Sequence, residues 1–282
     1  MKTSEKMMKM IFFVSAIISI VAVIIICLFL FINGGSAILK IGLKDVILGE
    51  RWKPLNNIFG ILPMIIGSIY VTLGAIIIGV PIGILCAIYL KFYTSKTTYR
   101  ILKICVDLMA SIPSIIYGFF GLMVIVPIMS NLGFGSGKNI LTASILLGIM
   151  ILPTIISITE NSLNQVRKSY YEGALALGDT KDLAIIRIVV PSAKSGIVAG
   201  VILGIGRAIG EAMAVVLVAG NQAVMPVGLL SGVRTLTANV VLEMGYAQDT
   251  HREMLIGTSL VLFVFILIIN LLFSLIREKK DV

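Results

Sequence analysis

Histidine and tryptophan occur once each in this 282-residue chain, cysteine three times, and charged side chains make up only 13% of it. One histidine, His251, leaves no cluster from which to build a zinc centre. Cys27, Cys86 and Cys105 lie in or beside apolar runs without a CxxC pair, so neither a disulfide framework nor a metal site is expected. Globular chains carry about 25% charged residues. The shortage here, with 58% hydrophobic residues and a mean hydropathy of +1.07, excludes a soluble domain. The charges collect between long apolar runs, the pattern of a polytopic membrane protein. The net charge of +9 is then a topology signal and an attraction to anionic lipid. The bilayer is an expected partner and nucleic acid is not.

Six apolar runs of membrane length stand at 10–32, 61–90, 104–130, 140–163, 196–220 and 253–276. The first follows a basic stretch, as in a signal peptide. It reaches full spanning length with no small-x-small cleavage site, so a retained helix is expected. The second and third hold Pro63, Pro81, Pro113 and Pro127, where tilts or breaks are expected. Outside the runs, fifteen Lys and Arg fall on the side of the two termini. They include Lys2, Lys279 and Lys280 and the 91–103 and 167–194 connections. Seven, among them Arg234 and Arg252, fall on the other. The positive-inside rule then places both termini in the cytoplasm.

The connection RKSYYEGALALGDTKDLAIIRIVVPSAKSG is too patterned for a solvated loop. Tyr170, Tyr171, Ala174, Leu175 and Leu177 recur near helical spacing, Gly178 stops that helix, and Asp179 or Thr180 is placed to cap a second one ending at Pro191. Patterning alone leaves two readings open, an interfacial helix pair lying in the headgroups and a docking site for a partner protein.

Glu172-Gly173-Ala174, then Gly178, Ile188, Val190 and Pro191 resemble the signature loop of ABC importer permeases, with every spacing kept. Gly173 stands where that pattern has alanine and Val190 where it has leucine. Gly173 weakens its helix by about 1 kcal/mol relative to alanine. The stretches FGILPMIIGSIYVTL, SIPSIIYGFFGLMVIVP and LGIGRAIGEAMAVVLVAGN are similar to phosphate-importer permeases, to the PstC type more than to the sister PstA type. Molybdate and sulfate permeases carry an element like the arginine-glutamate one.

The resemblance implies an all-α type I importer permease fold with six transmembrane helices, divided into 1–60 and a permease core at 61–282. It implies a coupling loop at about 167–194 in which Glu172, Gly173, Ala174, Gly178, Ile188 and Pro191 dock on a cytoplasmic ATPase. It further implies a second, PstA-like permease subunit, two PstB-like ATP-binding subunits and an extracytoplasmic, PstS-like phosphate-binding protein, in a prokaryotic cytoplasmic membrane. No catalytic residue and no cofactor of its own are implied, ATP being bound by the partner subunits.

Within the fifth run, Arg207 and Glu211 are spaced i, i+4, which in one continuous helix puts them on one face. An arginine or aspartate at mid-span costs about 2.5 to 3.5 kcal/mol on insertion scales, so two charges in one run call for a reason. One reading is a self-neutralising pair that only packs the bundle. The other has Arg207 offering its guanidinium fork to a passing oxyanion while Glu211 holds the fork and keeps binding loose. Gly206 and Gly210 form a small-xxx-small step suited to a close helix neighbour. Ser111, Ser114 and Tyr117, beside Pro113, are candidates to line a broken-helix path. Asp107 is spaced to pair with Lys103, and Glu160 is expected to brace the coupling loop.

Other classes fit less well. GDT at 178–180 lacks the remaining elements of an aspartyl intramembrane protease, His251 is expected in an external loop, and GFGSGKN at 133–139 has neither the spacing nor the Ser/Thr of a phosphate-binding loop. A passive scaffold accounts for the helices but not for the organised loop or Arg207.

Overall fold

The computed structural model describes residues 3–278, so Lys2, Lys279 and Lys280 of the charge count lie outside the described residues. The chain begins with α1 (Thr3–Phe29), which passes through a π-helical turn at Leu30–Gly34 into α2 (Gly35–Ile41). Gly42, at φ +112°, lets the chain turn off into α3 (Leu43–Ile47). A short antiparallel ribbon follows, β1 (Trp52–Lys53) with β2 (Ile58–Phe59), in which Trp52 faces Phe59. The next helices are α4 (Leu62–Phe92), α5 (Lys96–Ser111), α6 (Ser114–Phe120), α7 (Val126–Asn131) and α8 (Ile140–Gln165). After them come α9 (Lys168–Ala176), α10 (Lys181–Ala184), α11 (Val190–Ser192), α12 (Lys194–Gly210), α13 (Met213–Val218), α14 (Leu236–Glu243) and α15 (Asp249–Glu278).

Local chemistry sets several of these starts. Ser95, Asn139 and Thr235 each turn a side-chain oxygen onto the N–H three residues on, capping α5, α8 and α14. Pro63 falls in the first turn of α4, where the missing N–H costs nothing, whereas α4 and α8 run through Pro81 and Pro153, and Pro127 follows a π-helical turn at Gly121–Ile125 inside the continuous Ser114–Asn131 run.

Among the described residues five helical runs are long and apolar enough to cross a membrane, and a sixth arises if the pair Lys181–Ser192 and Lys194–Gly210, bent by 69°, is taken as one crossing. One of the expected spans breaks at an expected proline, and a second is corrected. The 104–130 run parts at Pro113: Ile112 is extended before it, because a residue preceding proline is driven out of the α region. Its first part belongs to the amphipathic α5, and the apolar span is Ser114–Asn131. The 196–220 run is likewise cut, at Glu211 and Ala212, between α12 and α13.

Helix α8 is the axis of the molecule, with α4 and α12 against it. Glycines bring them close. A Cβ on Gly79 would lie 2.8 Å from the Gly148 carbonyl oxygen, and Cβ atoms on Gly200 and Gly204 would meet Ile158 and Ile155 of α8 at 3.1 Å. Helix α1 buries none of its most apolar window, and the run that it opens packs its far end on α15, Gly34 against Gly257.

Candidate functional site

Arg207 lies in the last turn of α12, and Glu211 is the first residue beyond it, extended at φ −72°, ψ 125°. Breaking a helix inside an apolar bundle strands N–H and C=O groups that water cannot reach. Neighbours satisfy two of them here. The Glu211 carboxylate accepts the Ala214 N–H at 3.2 Å at the start of α13, and the Glu211 carbonyl accepts the Thr237 hydroxyl at 2.9 Å. The charges also suit the helix ends, the cation at the negative end of α12 and the anion at the positive end of α13.

The expected Arg207–Glu211 pair is therefore not made. Its i, i+4 geometry needs a continuous helix, and Glu211 is turned onto the next helix instead. Arg207 donates NH1 to the Thr154 hydroxyl of α8 at 3.3 Å, and among the described residues no carboxylate stands within ion-pair distance of it. A half-buried guanidinium bonded to one neutral hydroxyl keeps most of its five donors for an anion. Thr154 escaped sequence reasoning: one threonine beside Pro153 carries no signal until α12 is seen to lie on α8.

The second break lies alongside the first. A Cβ on Gly118 of α6 would stand 2.7 Å from the Ala214 Cα of α13. Tyr117, buried, donates its hydroxyl to the Met109 carbonyl across the break at 2.8 Å. Ser114 is half-buried in the first turn of α6. Ser111, the last residue of α5, is exposed and donates its hydroxyl to the Leu108 and Asp107 carbonyls of its own helix. Among the described residues nothing lies within 4 Å of a Cβ placed on Gly206 or Gly210, whereas Gly200 and Gly204 are filled by α8.

The 167–194 segment folds as its pattern implies. Helix α9 ends in a Schellman motif: Asp179 N–H to Ala174 C=O at 3.1 Å, Gly178 N–H to Leu175 C=O at 3.0 Å, and Gly178 at φ +97°. Thr180, rather than Asp179, caps α10. Ala174 is buried and Ile188 half-buried, while Glu172, Gly173, Gly178 and Pro191 are more open and Leu177 is 92% exposed. The segment is tied to the end of α4. Lys181 Nζ donates to the Phe92 carbonyl at 2.6 Å and stands 4.4 Å from the Tyr93 ring centroid, and the Tyr93 hydroxyl donates to Asp182, which raises the Tyr93 pKa.

Glu160 does not brace this segment. Its buried carboxylate accepts the Tyr99 hydroxyl at 2.5 Å and Lys103 Nζ at 2.9 Å, clamping α5 to α8, and Asp107 is a more distant Lys103 partner at 3.8 Å. At the opposite end of the molecule a network had no local signature. Glu243 accepts from Trp52 Nε1 at 2.8 Å and Arg234 NH1 at 2.5 Å, and His251 Nε2 lies 2.8 Å from it. His251 sits in the first turn of α15, not in a loop. The network fastens the ribbon to α14 and α15.

Broken apolar helices around an arginine without an acidic partner among the described residues, with a helical hairpin at one end, define a class: a multi-spanning membrane protein. The family of binding-protein-dependent transport system inner membrane components matches residues 79–280, and the chain belongs to it. Membership carries with it a binding protein, ATPase subunits and a second permease, in the inner membrane. A probable ABC transporter permease protein YqgH of Bacillus subtilis is 35% identical over 94% of this chain and 90% of its own. A phosphate transport system permease protein PstC of Xylella fastidiosa is 32% identical over 88% and 84%, and a probable PstC of Methanocaldococcus jannaschii 31% identical over 86% and 84%. Among solved structures, an inward-facing methionine ABC transporter matches with TM-score 0.64 at 17% identity over 81% of this chain and 99% of that one. A bacterial alginate ABC transporter matches with TM-score 0.60 at 13% identity over 99% of both. These support the fold.

Proposed function

We propose that this chain is the PstC-type permease subunit of an ATP-driven phosphate importer. It works beside a PstA-like permease and two PstB-like ATPase subunits, and receives phosphate from a PstS-like binding protein. Both termini and the 167–194 segment face the cytoplasm, in line with the excess of basic residues on that side. The observation that carries the reading is Arg207, a half-buried guanidinium at a helix break whose one hydrogen-bond partner among the described residues is a neutral hydroxyl. A planar fork with free donors matches a tetrahedral oxyanion, and a single cation suits passage over retention. Relatives named for phosphate transport favour phosphate among the oxyanions.

ATP-driven closure of the ATPase pair pushes on Glu172, Gly173, Ala174, Gly178, Ile188 and Pro191. The ties from Lys181 and Asp182 to Phe92 and Tyr93 pass that push to α4. Gly206 and Gly210 form the face open to the second permease. Labelled phosphate uptake by the reconstituted complex, with molybdate and sulfate as competitors, tests the substrate. Excess phosphate should suppress uptake and the other two should not. Stronger competition by molybdate or sulfate would reassign the chain to that oxyanion.

A further inference from the structure

Helices α4, α5 and α8 border an open pocket of about 590 Å³ at the end of the molecule that carries the 167–194 segment. Lys91, Lys96, Arg100 and Lys103 line it against one carboxylate, Glu160. Two of the cations are committed, Lys103 to Glu160 at 2.9 Å and Lys91 to the Asn164 side chain. Lys96 and Arg100 engage no partner among the described residues.

Their placement opposes local energetics in two ways. Lys96 opens α5, where the helix dipole disfavours a cation and no acidic residue occupies the first turn. Arg100 repels it from i+4, and Lys103 extends the same stripe. Uncompensated local conflicts of this kind collect where a chain expects something from outside itself. An anion in the pocket removes both conflicts at once.

The adjoining face of α5 says what carries that anion. Ile101, Ile104 and Leu108 are 57%, 53% and 60% exposed, and Ile104 also borders the pocket. A cationic stripe thus runs beside an unpartnered apolar stripe on one helix at the membrane boundary. That arrangement is complementary to a phosphate head group with acyl chains attached. We infer that this pocket binds an anionic phospholipid of the cytoplasmic leaflet, its phosphate held by Lys96 and Arg100 and its chains lying along Ile101, Ile104 and Leu108. The inference is independent of what the permease transports.

The test is lipid retention by the intact transporter, purified in detergent, read by native mass spectrometry alongside Tm. Phosphatidylglycerol should be retained and raise Tm, phosphatidylcholine should do neither, and inorganic phosphate without lipid should leave Tm unchanged. The double variant Lys96→Gln/Arg100→Gln should retain phosphatidylglycerol about thirtyfold more weakly, from two surface cations each contributing to attraction for anionic lipid. The control Lys44→Gln/Lys53→Gln removes the same charge at the opposite end and should retain lipid as the parent does. Equal retention by the pocket variant, equal loss in the control, or a full Tm rise with inorganic phosphate alone would each overturn the proposal.

Discussion

Arg207 shows how a single side chain is judged by what it leaves unused. A guanidinium at mid-span is costly. Here part of that cost is offset by its position at the negative end of α12, worth about 0.3 to 1 kcal/mol, and by the Thr154 hydroxyl. Neither consumes the fork. Arg207→Ala is therefore expected to abolish labelled phosphate uptake while leaving assembly and basal ATPase activity intact. Arg207→Lys should restore only part of it, because an ammonium is a point charge without bidentate geometry. Normal uptake by the alanine variant would make the arginine structural. Glu211 stands one residue before the α13 N-cap, Ala212, and its carboxylate accepts the Ala214 N–H instead of pairing with the arginine.

The 167–194 hairpin is governed at the scale of the element. Gly173 and Gly178 both have open space where a Cβ would stand, yet they differ in backbone: Gly178 holds φ +97° and Gly173 is helical. Gly173→Ala should therefore stabilise α9 by about 1 kcal/mol and keep transport. Gly178→Val should strain the Schellman turn that aims α10, and uncouple or release the ATPase in co-purification and transport assays. Unchanged coupling in the valine variant would contradict a docking role for the hairpin. The hairpin was legible in the sequence because its determinants are local: glycine stop, threonine cap and amphipathic spacing lie within a few residues of one another. Of helix α5 only the end was legible, at Pro113, because the apolar residues before it read as the first part of the same span as 114–131.

Across the whole molecule, glycines divide into those the chain fills and those it leaves open. Gly204 is closed by Ile155 of α8 at 3.1 Å, whereas Gly206 and Gly210 have no such neighbour among the described residues. Gly204→Leu should lower the Tm of the isolated subunit by overpacking α12 on α8. Gly206→Leu should leave that Tm unchanged but release the second permease in co-purification. Retention of the partner by the Gly206 variant would move the subunit interface elsewhere.

The membrane class and the 167–194 helical hairpin were determined by the sequence alone, since hydropathy, glycine stops and caps act over short distances and a membrane admits few alternatives, whereas the sixth span rests on the bent pair Lys181–Ser192 and Lys194–Gly210 that only the tertiary structure shows. The tertiary structure decided the partners. Arg207 meets Thr154, Glu160 meets Tyr99 and Lys103, and Glu243 gathers Trp52, Arg234 and His251, pairs separated by up to 191 residues that no local pattern encodes. The same holds for the break at Glu211. An i, i+4 spacing states what a continuous helix would bring together, but Thr237 of α14 and the Ala214 N–H of α13 offer Glu211 other bonds, and the helix ends where those bonds are found.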